Sequence, residues 1–171
     1  MAKNLIIYYS RKGENYVDGT IKSLPKGNTE ICAEFIQKSV GGDLFEVETV
    51  KEYAADYNEC IAEAKEELQQ KARPELKNYL ESIDDYDNVF ICGPCWWGLL
   101  PMAIYTQVEK LDWTGKKVMV LVTHEGSGLG GCERDMKKVC DGATFGKGLA
   151  IQGAKASESE DAVSEWAAGE V

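Results

Sequence analysis

Asn4-Leu-Ile-Ile-Tyr-Tyr9, followed by Ser10-Arg11-Lys12-Gly13 and, after an interruption, by Gly27-Asn28-Thr29-Glu30, is the stretch that decides how this chain is read. The apolar run reads as a strand, and it stops at small polar residues and glycine just before a helical pattern opens. Such a junction is an anion cradle. Main-chain N–H groups without intrahelical acceptors point out of a helix N-terminus, the helix dipole adds favourable potential, and glycine lets the backbone approach closely. The hydroxyls of Ser10 and Thr29 can complete a ring of donors around a phosphate.

Glu14 to Gly27 stand between the two halves of that cradle. The plain alternative is a long glycine-containing connection with no ligand. Val17, Ile21 and Leu24 make the segment too apolar for a purely solvated loop, so it is expected to fold back as a small excursion between ends that meet at the helix start.

With 171 residues the chain is long enough for a sizeable core, and one domain spanning 1–171 is the simplest organisation. Its 44% hydrophobic and 28% charged residues are those of an ordinary soluble globular protein. No apolar run approaches the roughly 20 residues needed to span a bilayer, and the first run ends at Arg11-Lys12 without a cleavage site, so a cytoplasmic protein is expected. Six cysteines are too sparse for a disulfide framework at this length, and His124, the single histidine, gives them no zinc-binding companions. A net charge of -10 disfavours nucleic acid and anionic membranes. It suits solubility, or docking to partners with basic surfaces.

The pattern alternates strand and helix. A helix is expected over 29–40, a strand over 43–50, a helix over 58–71, and a short one from Pro74 to Leu80. Further on, 87–92 and 116–123 read as strands, the latter with the continuous apolar run Val118-Met-Val-Leu-Val122 of a strand covered on both faces. Helices are expected over 101–110 and 130–140, a last strand over 144–151, and a last helix over 157–168 opened by a Ser157/Glu160 capping box. Strands joined through helices imply a parallel sheet with right-handed crossovers. In such a sheet ligands sit at the carboxyl ends of the strands, near the point where strand order reverses. Those ends carry Ser10, then Cys92-Gly-Pro-Cys-Trp-Trp-Gly98, then Thr123-His-Glu-Gly-Ser-Gly-Leu-Gly-Gly131. Trp96 and Trp97 are either ordinary core aromatics or a platform for a planar ligand ring.

With Glu14–Gly27 set aside, the cradle reads Ser-Arg-Lys-Gly-Asn-Thr, which resembles the flavodoxin phosphate loop, Ser/Thr-x-Ser/Thr-Gly-x-Thr. Lys12 departs from it where that family has a hydroxyl residue. Asp85-Tyr86-Asp87 before one strand, Pro94-x-Trp-Trp-Gly98 after it, and the glycine loop after the fourth strand extend the resemblance over nearly the whole chain. It implies a three-layer α/β sandwich with a five-stranded parallel sheet in the order 2-1-3-4-5. It also implies FMN as cofactor and a role as a low-potential electron carrier between redox partner proteins with basic docking surfaces. By that resemblance Ser10, Lys12, Asn28, Thr29 and Glu30 hold the phosphate, Pro94, Cys95, Trp96, Trp97 and Gly98 pack one side of the ring, and His124, Glu125, Gly126, Ser127, Gly128 and Gly130 meet its edge. An FMN-dependent reductase of quinones or other small acceptors would share every motif.

Two other motifs compete. Cys92-Gly-Pro-Cys95 matches a thioredoxin-type dithiol, although neither a following helix nor a cation is evident to stabilise a thiolate. Gly126-Ser-Gly-Leu-Gly-Gly131 satisfies G-x-G-x-x-G but follows the fourth strand, whereas the dinucleotide fingerprint follows the first.

Overall fold

Asn4–Tyr8 form β1, a strand of five buried residues that lies inside a parallel sheet. The computed structural model describes residues 3–171. Around β1 the chain adds β4 (Asp43–Glu46) on one side and β5 (Asn88–Pro94), β6 (Lys117–His124) and β7 (Thr144–Phe145) on the other, giving the order β4-β1-β5-β6-β7. A further strand, β8 (Leu149–Gln152), pairs with the later part of β6, and all these pairings are parallel. The expected order is therefore present, with the last strand in two pieces. Gly146 and Gly148 separate them, where a side chain would begin 2.6 Å from Glu170 Oε2 and 2.2 Å from Glu133 Oε2 respectively.

Successive strand residues point to opposite faces, and each face is covered. Val89 and Ile91 of β5 join one core with Ile104 and Trp113, while Phe90 and Cys92 join the other with Ile36 and Val163. The helices are α1 (Asn28–Val40), α2 (Tyr57–Gln70), α3 (Met102–Val108), α4 (Cys132–Val139) and α5 (Glu160–Glu170). Among the described residues no helix is long and apolar enough to cross a membrane.

The segment between Ser10 and α1 is an antiparallel hairpin, β2 (Gly13–Val17) and β3 (Thr20–Leu24), outside the main sheet. Asp18 and Gly19 turn it with φ of 50° and 84°, the left-handed pair of a two-residue hairpin turn.

Some local expectations are overturned. Residues 74–80 are not helical: α2 ends at Lys71 in a left-handed conformation, Leu76 bridges Thr49 antiparallel, and the Leu80 backbone is taken up by the side chain of Gln107. No box forms at Ser157, because a 3-10 helix occupies Gly153–Glu158 and α5 starts after Ser159, whose hydroxyl donates back to Ala156 O at 2.6 Å. The strand expected over 43–50 stops at Glu46, although Val47 N still donates to Tyr8 O.

Candidate functional site

Strand order reverses about β1, so the carboxyl ends of β1, β5 and β6 share one crevice. At the end of β1, Ser10 Oγ accepts a hydrogen bond from Glu30 N at 3.0 Å, which leaves the hydroxyl proton free to be donated. Gly27 is buried against it, and a side chain there would begin 2.0 Å from Ser10 Oγ and 2.7 Å from Arg11 O. Among the described residues nothing accepts from the main-chain N–H of Asn28 or Thr29. Ser10, Gly27, Asn28 and Thr29 thus come together as a cradle of donors at the positive end of α1.

The cradle is tied to β6. Thr29 Oγ1 lies 2.8 Å from Thr123 Oγ1 in a buried pair, so its hydroxyl points into the protein and its N–H is the group left at the surface. Glu125 Oε1 accepts from Ala154 N at 2.9 Å and Oε2 from Asp18 N at 3.3 Å, joining the start of the 3-10 helix to the tip of the hairpin. Gly153 lets these parts close, since a side chain there would begin 2.6 Å from Asn28 Nδ2 and 2.8 Å from Glu125 Oε1. His124 Nδ1 accepts from Gly126 N at 2.9 Å, which leaves Nε2 as the protonated nitrogen of the neutral ring.

The hairpin is held along its flank as well as at its tip. Arg11 donates to Glu14 O at 2.8 Å and to Ala54 O at 2.9 Å, Glu14 Oε1 accepts from Tyr57 N at 2.8 Å, and Tyr16 stacks on Tyr57. Arg11 and Glu14 were not singled out from the sequence. The signal available was an arginine beside the cradle, next to carbonyls that only the folded chain brings near.

Lys12 and Glu30 line, with Ser10 of the cradle, a cavity of about 570 Å³ that also takes in Glu14, Glu46, Glu48, Glu52 and Lys77. Away from Ser10 the carboxylates of this cavity repel a phosphate, and the Glu46 carboxyl is pushed up by burial and by Glu48 and Glu30. The free N–H groups of α1 make the cradle the better anion site.

At the end of β5 the backbone makes a tight turn, with Trp96 N donating to Leu99 O at 2.7 Å, Trp97 at φ 55° and Gly98 at φ 90°. A tryptophan in the left-handed region is strained and is held there by contacts on both sides. Trp96 turns inward, edge-on to Tyr9 and Tyr53 with centroids 5.2 Å away from each. Trp97 turns outward, 49% exposed, its indole N–H donating to Ile61 O at 2.9 Å and Lys65 Nζ lying 5.0 Å from its ring. Both line a cavity of about 240 Å³ with Arg11, Asn15, Tyr57 and Cys95. The β5 and β6 loops meet where Gly131 N donates to Gly98 O at 2.8 Å, and Gly130 fits only because a side chain would begin 3.0 Å from that oxygen. Cys92 is fully buried on the opposite face of β5 from Cys95, so the two do not form a dithiol.

A family model described as Flavodoxin matches residues 23–169, from the second strand of the hairpin to the last turn of α5. The chain belongs to the flavodoxin family. A candidate flavoprotein of Bacteroides eggerthii is 28% identical, with a TM-score of 0.78 over 99% of this flavodoxin and 98% of its own chain. Another, of Bacteroides uniformis, is also 28% identical, with a TM-score of 0.75 over 96% and 97% of the two chains. A Lactobacillus acidophilus flavoprotein solved in complex with FMN shares the fold at 21% identity, with a TM-score of 0.67 over 92% and 98%. No curated protein matches this flavodoxin.

Proposed function

We propose that this flavodoxin binds FMN and carries electrons between protein partners. The observation that supports the cofactor best is the donor set at the start of α1: the free proton of Ser10, the N–H groups of Asn28 and Thr29, and a Gly27 that leaves their space unfilled. This set suits one phosphate monoester, hence FMN rather than FAD. When bound, the flavin supplies the redox chemistry and the protein supplies orientation and electrostatics. Trp96, Trp97 and the Pro94–Gly98 backbone would flank the ring, and the loop from His124 to Gly130, whose Ser127 and Gly128 N–H groups have no acceptor among the described residues, would meet its polar edge. A net charge of -10 weighs against adding negative charge here and favours a low potential. It also favours partners with basic docking surfaces, and the unframed cysteines favour a reducing, cytoplasmic setting.

The purified protein is expected to be yellow and to release FMN, identified by mass analysis. Predominant FAD, or no flavin after reconstitution, would defeat the assignment. The aromatic-walled cavity of 240 Å³ beside Cys95 favours one second reading, reduction of a small planar acceptor such as a quinone. Sustained quinone turnover by the isolated protein distinguishes it from a carrier.

The hairpin, tied to α2 and to Glu125, is proposed to shield the phosphate and the chain beyond it from water, which strengthens the hydrogen bonds beneath. Replacing Asn15–Lys26 by a short glycine turn is expected to speed FMN dissociation by about 10-fold, equivalent to roughly one charge-assisted hydrogen bond. Unchanged dissociation from a folded variant would show that the hairpin covers nothing.

A further inference from the structure

The 240 Å³ cavity differs in charge from its neighbours. No carboxylate lines it, whereas five glutamates line the 570 Å³ cavity and five line a third, of about 440 Å³, beside α2. In a chain with 29 acidic and 19 basic residues this is a local reversal of sign, because the one residue of fixed charge in these walls is Arg11. The cavity is also separate from the phosphate cradle. Ser10, Gly27, Asn28, Thr29 and the loop from His124 to Gly130 contribute nothing to its walls, which come from the hairpin stem, α2 and the β5 loop.

Arg11 is half-buried and has no anion of its own. Its Nε donates to Glu14 O at 2.8 Å and its Nη2 to Ala54 O at 2.9 Å and Ala55 O at 3.2 Å. All three acceptors are carbonyls, and none of the ion pairs among the described residues includes Arg11. The carbonyls fix the plane of the guanidinium, while Nη1 keeps two N–H groups without an acceptor among the described residues. A cation partly removed from water and left without a counter-ion carries a desolvation cost that a bound anion offsets. Its charge is felt in the cavity walls: burial raises the Cys60 thiol to about 11 and raises the Tyr57 phenol too, and Arg11 acts on both in the opposite direction. Beside it, Asn15 Nδ2 donates to Arg11 O at 2.8 Å and Gly13 O at 3.2 Å, so its Oδ1 remains an open acceptor.

We propose that this cavity binds aromatic carboxylates, with the carboxylate accepting from Arg11 Nη1 and the ring lying against Trp96, Trp97, Ile61 and Ala64. The cation selects the anionic group, because a charge-assisted hydrogen bond is about twice as strong as a neutral one. The walls select the ring, because flat indole faces and aliphatic side chains reward a planar apolar body. About 240 Å³ lies below the size of a drug-like pocket and suits one ring or two fused rings. Lys65, whose Nζ lies 5.0 Å from the Trp97 ring, adds positive potential near the outer wall. The hairpin stem thereby has a second task, since it supplies Arg11 and Asn15 to a ligand other than the phosphate. The proposal concerns binding, and it stands whether or not an acceptor is reduced in this cavity.

The test titrates naphthoate, and separately the neutral naphthamide of the same shape, into the purified protein by calorimetry. Naphthoate is expected to bind once per chain and at least about 10-fold more tightly than the amide, since it alone makes the charge-assisted hydrogen bond. Arg11→Gln should erase that preference. Ala64→Leu fills the cavity from α2 without touching the hairpin, and it should weaken naphthoate binding by at least about 10-fold. Saturation with FMN should leave the affinity for naphthoate unchanged. Equal binding of the two probes would overturn the proposal, as would the lack of saturable naphthoate binding, or parent-like binding by a folded Ala64→Leu variant. Displacement of naphthoate by FMN would also overturn it, because the cavity would then belong to the flavin. If the protein takes up no flavin, the FMN reading fails while the titration still decides this one. The two probes on the parent protein, with Ala64→Leu, give the answer even if Arg11→Gln misfolds.

Discussion

Gly27→Ala is expected to lower FMN affinity by about 100-fold and stability by about 2 kcal/mol. Gly27 has an ordinary φ of -67°, so conformational freedom is not the reason for glycine there. Space is the reason: a Cβ would stand 2.0 Å from Ser10 Oγ and within 2.9 Å of the Arg11 carbonyl carbon. The Ser10 hydroxyl can rotate away, but the Arg11 backbone cannot, because β1 behind it is buried and the Arg11 guanidinium is bonded to Glu14, Ala54 and Ala55. The helix start must therefore move off Ser10, and the donors no longer converge. Two hydrogen bonds to a charged phosphate, each worth about 1.5 kcal/mol at the low end, give the 100-fold figure. Quenching of flavin fluorescence during titration of the apoprotein measures it. Parent-like affinity in a folded variant would place the phosphate elsewhere.

Gln107→Ala is expected to destabilise the protein by about 3 kcal/mol and lower the melting temperature by roughly 9 °C, without changing flavin specificity. Gln107 is fully buried in α3, and its amide imitates a strand: Oε1 accepts from Leu80 N at 2.8 Å and Nε2 donates to Leu80 O at 3.1 Å. Truncation strands a backbone donor and acceptor that have little access to water, each costing about 1–3 kcal/mol. Gln107→Met separates the causes, since it restores volume without the hydrogen bonds. Recovery of the parent's thermal midpoint by methionine would mean that packing matters there and the amide does not.

Gln107 also shows why residues 74–80 were misread as a helix. Proline suits the first turn of a helix and an extended segment alike, and what decides between them is a side chain 27 residues away in sequence. By contrast, β1, β5 and β6 were legible because burial of both faces writes continuous apolar runs into the sequence. The hairpin was legible only as an excursion, although Asp18-Gly19 between Val17 and Thr20 was a usable turn signal. In the site, Ser10 and Gly27–Thr29 could be grouped from the strand-to-helix junction alone. The bridging by Glu125 and the division of Trp96 inward and Trp97 outward could not, because each depends on contacts between distant segments.

The two ends of the sheet have a consequence for how copies of this protein behave in a crowded solution. An open strand edge is a template for another chain, and parallel sheets form slowly enough to leave such edges exposed during folding. Here one edge is the four-residue β4, with Asp43 and Glu46 on it, and the other is broken into the two residues of β7 and the four of β8. Neither offers a long unbroken ladder for a foreign strand to join, and the shared negative charge opposes the approach of a second copy. Resistance to aggregation is thus built into the sheet's boundaries, and the glycines that split β7 from β8 act against fibre formation as well as shaping the fold.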